Sequence, residues 1–142
     1  HKMGSIEEGT TISDYREYEI KNQHSISLSL MNLEWLDKKI NIIDTPGYLD
    51  FHGEVKSAMS AADFAAIVVS ATESIDVGTE LCWEYADKEL NIPKLFIISM
   101  ADKDQSDFDS VLSALQSRYG RTVLPFTLPF NPLPATSVTS FA

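Results

Sequence analysis

The run Phe64-Ala65-Ala66-Ile67-Val68-Val69-Ser70 constrains this chain more than any other segment. It carries no charge and no polar alternation over the length of one strand. That pattern suits a strand covered on both faces, as in a parallel sheet clothed by helices. Lys94-Leu95-Phe96-Ile97-Ile98-Ser99 reads the same way. Helical spacing separates and follows the two runs. Residues 79–90 place Cys82, Tyr85, Ala86 and Glu89 on successive turns, with Pro93 just beyond. Residues 107–119 place Phe108, Val111, Leu112, Leu115 and Tyr119 in one apolar stripe that Gly120 closes.

Upstream, Ser25-Ile26-Ser27-Leu28-Ser29-Leu30 alternates polar and apolar, the mark of a half-buried strand continuing to about Trp35. Leu36-Asp37-Lys38 is read as a turn and residues 39–44 as the returning strand of a hairpin. A helix is expected over 51–62, where Val55, Ala58, Met59 and Ala62 recur at helical spacing. Residues 1–24 are polar loop with a short helical piece near 15–20. Val123-Leu124-Pro125-Phe126 is read as a last short strand. Pro129, Pro132 and Pro134 then break any pattern, so 131–142 is expected to be an irregular tail. The alternation of strands and helices predicts an α/β fold with a mostly parallel sheet and flanking helices.

Composition sets limits on partners and compartment. A chain of 142 residues with 44% hydrophobic content has the size and core of one domain. Its net charge of -10 opposes phosphate backbones, so direct nucleic-acid binding by this chain is not expected. Cys82 is the single cysteine, which leaves no internal disulfide and suits a reducing compartment. No apolar run approaches the roughly 20 residues that span a membrane.

Ligands of such folds bind beyond the carboxyl ends of the strands. One strand ends in Asp44-Thr45-Pro46-Gly47-Tyr48-Leu49-Asp50-Phe51. A carboxylate leaving a strand there can hold Mg²⁺, and a nearby Gly lets a backbone N–H approach a phosphate. The alternative is a plain strand-to-helix turn, since Asp, Pro and Gly are turn residues. Another strand ends in Ser99-Met100-Ala101-Asp102. Asp102 suits two hydrogen bonds from a guanine edge, or it caps the helix that follows; spacing alone favours the cap. Carboxylates at two strand ends would also suit a phospho-acceptor receiver domain.

The first of these segments is similar to the DTPGHVDF signature of translational GTPases. Gly53-Glu54-Val55 to Ala61-Ala62-Asp63 resembles the switch II helix of that family, and Ile67-Val68-Val69-Ser70-Ala71 with Val77-Gly78-Thr79-Glu80 resembles its next strand and helix. Ser106-Asp107-Phe108 and Leu124-Pro125-Phe126-Thr127-Leu128-Pro129 resemble elongation factor G in particular. The resemblance runs in order over about residues 3–130, which a receiver domain does not explain.

The resemblance implies a P-loop NTPase-like, Ras-like fold and a cytoplasmic, ribosome-dependent GTPase as the parent, using GTP or GDP with Mg²⁺ and coupling hydrolysis to translocation. It implies that 1–24 is a flexible switch I region and 25–130 a partial GTP-binding domain. Asp44 matches the magnesium-linked Asp, with Thr45 and Pro46 completing the motif, and Gly47 matches the Gly that meets the terminal phosphate. Ser25 stands at the switch I Thr that ligates Mg²⁺. Tyr48 stands where the family has the His that orients the attacking water. Ser99 and Met100 replace the Asn and Lys of Asn-Lys-x-Asp, whose Asp is Asp102.

No Gly-x-x-x-x-Gly-Lys-Ser/Thr run occurs in the sequence. That loop supplies the backbone cradle and the lysine for the phosphates. The resemblance therefore implies an internal piece of the domain, weak or inactive by itself and binding no nucleotide cofactor of its own. A ribosomal protection-type GTPase and a non-nucleotide-binding α/β interaction piece are the alternatives. In the family the first strand lies between the strand ending at Asp44 and the 64–70 strand. Without it two edges stay unpaired, and self-association through them is expected.

Overall fold

The computed structural model describes residues 4–129. The chain forms two compact units, divided between Phe64 and Ala65. Each is described by itself.

The first unit holds helix α1 (Glu17–Asn22), strands β1 (Ser29–Trp35) and β2 (Lys38–Asp44), a 3-10 turn at Leu49–Phe51, and helix α2 (His52–Ala61). β1 and β2 pair antiparallel, with Ser29 opposite Asp44 and Trp35 opposite Lys38. Leu36 and Asp37 close the hairpin with φ of 47° and 59°. Two successive left-handed residues are the pattern of a type I′ turn, whose twist matches that of the strands. The register puts Met31 with Ile42 and Leu33 with Ile40 on one face, and Asn32 with Asn41 and Glu34 with Lys39 on the other. α2 buries Val55 and Ala58, three residues apart on one stripe.

The first strand starts later than the alternation at 25–28 suggests. Backbone N–H groups of Ile26 and Ser27 donate to Glu19 Oε1, each at 3.1 Å, and Leu28 N–H donates to Glu54 Oε2 at 2.9 Å. Three successive donors are taken by carboxylates and are lost to a ladder, so pairing begins at Ser29. The short helical piece is present, displaced to Glu17–Asn22.

The second unit is a strand-helix-strand arrangement followed by a helix. β3 (Ala65–Ser70) and β4 (Lys94–Ser99) pair parallel, from Ala65 opposite Lys94 to Ser70 opposite Ser99. Between them α3 (Val77–Glu84) runs into a π-helical turn at Tyr85–Glu89. Asp76 caps α3: its Oδ1 accepts from Thr79 N–H at 2.7 Å and from the Thr79 hydroxyl at 2.6 Å. α4 (Phe108–Tyr119) is capped by Asp107, which accepts from Ser110 N–H at 2.9 Å, and it ends at Gly120 with φ of 96°. Val69, Val111 and Leu115 form the core, with Phe96, Ile98 and Tyr119 packed on it. Trp83 stacks on Phe96 at 5.1 Å and meets Tyr119 at 4.5 Å. Burial pushes the Cys82 thiol up, so it is a protonated packing residue.

The α/β class with flanking helices holds, and the sheet is in two parts. Among the described residues the strands form one antiparallel and one parallel pair, with β2 and β3 not hydrogen-bonded to each other. Coverage of β3 and β4 on both faces is corrected. Ala65, Ile67 and Val69 are buried, while Val68 is 60% exposed and its neighbours Leu95 and Ile97 are 42% and 46% exposed. The apolar run reflects a face that the described residues leave open. The expected strand at 123–126 is also absent. Val123 C=O accepts instead from the Gln116 side chain at 3.0 Å, and Pro125 cannot donate to a ladder. The expected tail at 131–142 lies outside the described residues.

Candidate functional site

The candidate residues divide between the units. Ser25 and Asp44 to Tyr48 lie in the first, Ser99 and Asp102 in the second.

In the first unit Asp44 is the last residue of β2 and is half-buried. Thr45 follows, Pro46 is buried, and Gly47 is exposed. The buried Pro46 fixes the loop while Gly47 opens it. A Cβ placed on Gly47 would meet nothing within 4 Å, so the loop is open on that side. Tyr48 is 59% exposed. Its ring lies edge-on to His24, centroids 4.8 Å apart. The structure thus brings Tyr48 against the residue before Ser25, and the two loops expected to flank a phosphate are neighbours.

Ser25 is held differently from a free ligand. Its hydroxyl donates to Asp14 Oδ1 at 2.6 Å. Among the described residues no three His, Cys, Asp or Glu side chains converge as a metal cluster. A lone carboxylate such as that of Asp44 is the type of ligand a magnesium ion takes together with water and phosphate oxygens.

Sequence reasoning passed over the residues that shape this loop. Glu19 is only 1% exposed. Burial pushes its carboxyl up, but the backbone N–H groups of Ile26, Ser27 and Arg16 outweigh that and hold it below the usual carboxylate range. In Glu-Tyr-Glu-Ile-Lys-Asn it reads as one more solvated acid, and nothing in that pattern marks it. Glu54 on α2 is a second such residue, reached only through the fold.

In the second unit Ser99 ends β4. Its C=O accepts from Ala71 N–H at 2.8 Å, and its hydroxyl points to Val69 C=O at 3.4 Å. Met100 follows with φ of 57°, its sulfur 3.7 Å from the Ser70 hydroxyl. Asp102 is exposed and is not the helix cap; Asp107 has that role. Its carboxylate lies in the exposed turn beyond β4.

The chain matches the family described as "Elongation factor Tu GTP binding domain" over residues 1–140, and it belongs to that family. Within it the chain is part of a GTP-binding domain of the elongation factor G-like kind. It is 37% identical over 128 residues to an "Elongation factor G-like protein" of Mycobacterium tuberculosis (strain CDC 1551 / Oshkosh), a match covering 90% of this chain and 18% of that protein. Elongation factor G of Granulibacter bethesdensis is 33% identical over 131 residues, covering 92% of this chain and 19% of that protein. The crystal structure of ttk003000868 from Thermus thermophilus superposes with a TM-score of 0.84 at 34% identity, covering 90% of this chain and 19% of that one. The chain thus spans about a fifth of the length of the relatives it matches.

Proposed function

We propose that this chain carries the switch and guanine-reading parts of a GTP-binding domain whose parent is a cytoplasmic, ribosome-acting GTPase. The observation that carries the reading is a half-buried Asp44 at a strand end, leading through a buried Pro46 into an unobstructed Gly47. In this reading 1–24 belongs to the switch I region and 25–130 to the partial domain.

The residues act by position. Gly47 N–H donates to the terminal phosphate, and Thr45 and Pro46 hold the loop that presents it. Asp44, with Ser25 once its hydroxyl leaves Asp14, holds Mg²⁺, which when bound neutralises phosphate charge. Tyr48 occupies the water-orienting position. Its phenol can hydrogen-bond to that water but is not the imidazole the family uses to position it, so hydrolysis is slow or takes another route. Asp102 accepts from the guanine edge, and Ser99 sets the turn that presents it. The phosphate-cradling motif is not in this sequence, so the chain alone binds nucleotide weakly and has little activity. It contacts neither nucleic acid nor membrane directly; no helix among the described residues is long and apolar enough to cross a bilayer.

Amide chemical shifts recorded during titration with GDP and Mg²⁺ test the reading. Expected is millimolar binding that moves the Gly47, Tyr48 and Asp102 amides, is competed by GTP and not by ATP, and is lost in Asp102→Ala. Equal competition by ATP, or no movement of those amides at millimolar GDP, would overturn it.

A further inference from the structure

Ser25 is bracketed by two contacts that run to the same stretch of chain. Just before it, the His24 ring lies edge-on to Tyr48, with centroids 4.8 Å apart. Just after it, beyond Ile26 and Ser27, the Leu28 N–H donates to Glu54 Oε2 at 2.9 Å, across 26 positions of sequence. Tyr48 and Glu54 are joined by the 3-10 turn at Leu49–Phe51 and the first turn of α2. The Phe51 N–H donates to the Tyr48 C=O at 3.0 Å, which stiffens that join.

Both contacts involve half-buried groups: His24, Leu28 and Glu54 are each partly enclosed. His24 Nδ1 lies 3.3 Å from the Ser25 C=O, a contact that puts the ring proton on Nδ1 and fixes the ring against its own chain. Glu54 offers Leu28 an ionised acceptor, and such hydrogen bonds are the stronger kind. Once one tie is closed, the second closes a short loop and costs less chain entropy. Two ties between the same two segments therefore reinforce each other. From the α1 side, Asp14 holds the Ser25 hydroxyl and Glu19 holds the Ile26 and Ser27 N–H groups. Breaking the Asp14 bond frees the hydroxyl of Ser25 while His24 and Leu28 remain fastened to 48–54.

We propose that Glu54 is a positioning residue: through Leu28 it keeps the segment bearing Ser25 on the loop that follows β2. Together with the ring contact at Tyr48 it makes residues 24–28 and 48–54 open and close as one piece. This tie needs no bound group. Its meaning for a metal ligand at Ser25 rests on the function proposed above, whereas the coupling itself does not.

Amide exchange and ring-to-ring cross-relaxation in the nucleotide-free 142-residue chain test it. Glu54→Ala is expected to raise Leu28 exchange roughly tenfold or more, as a charged acceptor is lost. It should also weaken the cross-relaxation between the His24 and Tyr48 rings. Tyr48→Ala should raise Leu28 exchange about threefold or more, although the Tyr48 side chain makes no part of the Leu28 bond. That reciprocity is what a coupling requires and a merely local role does not supply. Tyr48→Phe keeps the ring and should leave Leu28 as in wild type. Glu54→Gln keeps an acceptor oxygen and should restore part of the protection. Protection of the β1–β2 ladder reports that each variant is folded. Tyr48 is exposed, so Tyr48→Ala decides the matter even if Glu54→Ala opens the ladder. Leu28 exchange unmoved by Tyr48→Ala, or an unchanged ring contact in a folded Glu54→Ala, would overturn the proposal. With nucleotide absent, either result stands apart from that of the GDP titration.

Discussion

The two units are held by different forces. The second is organised by apolar packing: Val69, Val111 and Leu115 are almost wholly enclosed, and Trp83, Phe96 and Tyr119 pack ring on ring beside them. The first has few buried apolar side chains, chiefly Val55 and Ala58. Its loop is fastened by carboxylates, with Glu19 gripping Ile26 and Ser27, Glu54 gripping Leu28, and Asp14 gripping Ser25. Packing yields a scaffold that responds little to pH or bound charge. Carboxylate grips yield a loop that a competing cation or proton can release. A switch must let go, and the proposed magnesium ligand Ser25 sits in the second kind of structure.

Cutting into the packed unit should have the largest effect. Leu115→Ala leaves a void between α4 and the sheet and is expected to cost about 3 kcal/mol. Urea titration followed by Trp83 fluorescence measures it; a loss below about 1 kcal/mol would mean that the core is not what holds this unit. Glu19→Ala comes next, at about 2 kcal/mol, because two half-buried N–H groups lose a charged acceptor. Its signature is local. Amide exchange at Ile26 and Ser27 should rise while Val111 and Leu115 stay protected. A uniform rise would show that the two units do not differ in this way.

Acid should separate the units without mutation. The folded Glu19 carboxyl is depressed, so its contribution is complete above the usual carboxylate range and is lost as pH falls through its lowered value. Asp76 is depressed as well, first by the Thr79 hydroxyl and then by the Thr79 N–H, so the α3 cap weakens over the same acid window. With its core intact, the second unit should keep α4 protected after Ile26 and Ser27 have opened. Exchange rates at falling pH check the order, and simultaneous opening would contradict it. The smallest expected effect is a gain. Leu36 and Asp37 occupy left-handed positions that favour Asn-Gly. Leu36→Asn with Asp37→Gly should stabilise the hairpin by about 1 kcal/mol, read as a higher thermal midpoint.

Much of the second unit was legible along the chain. The stripe from Phe108 to Tyr119 is α4, the Gly120 stop is its end, and the two apolar runs are β3 and β4 within a residue. The loop at Asp44 to Gly47 was legible through its order of residue types, and it does leave a strand and enter a helix. Less was legible in the first unit. The alternation at 25–28 is genuine, yet those residues do not form a strand. The carboxylates that claim their N–H groups come from α1 and α2, and Glu54 is 26 positions from Leu28. Capping at Asp102 was the favoured local reading, but Asp107 sits where its side chain reaches the Ser110 N–H in the first turn of α4.

The sequence alone determined where α2, α4, β3 and β4 form, because burying side chains at a fixed spacing is a local requirement met along one element. It also determined the family, since the order of motifs is a property of the chain. The tertiary structure decided which acceptor each backbone donor meets and which residues of a strand face stay exposed. Those outcomes depend on groups far apart in the chain reaching hydrogen-bond distance, and no window of sequence contains both partners.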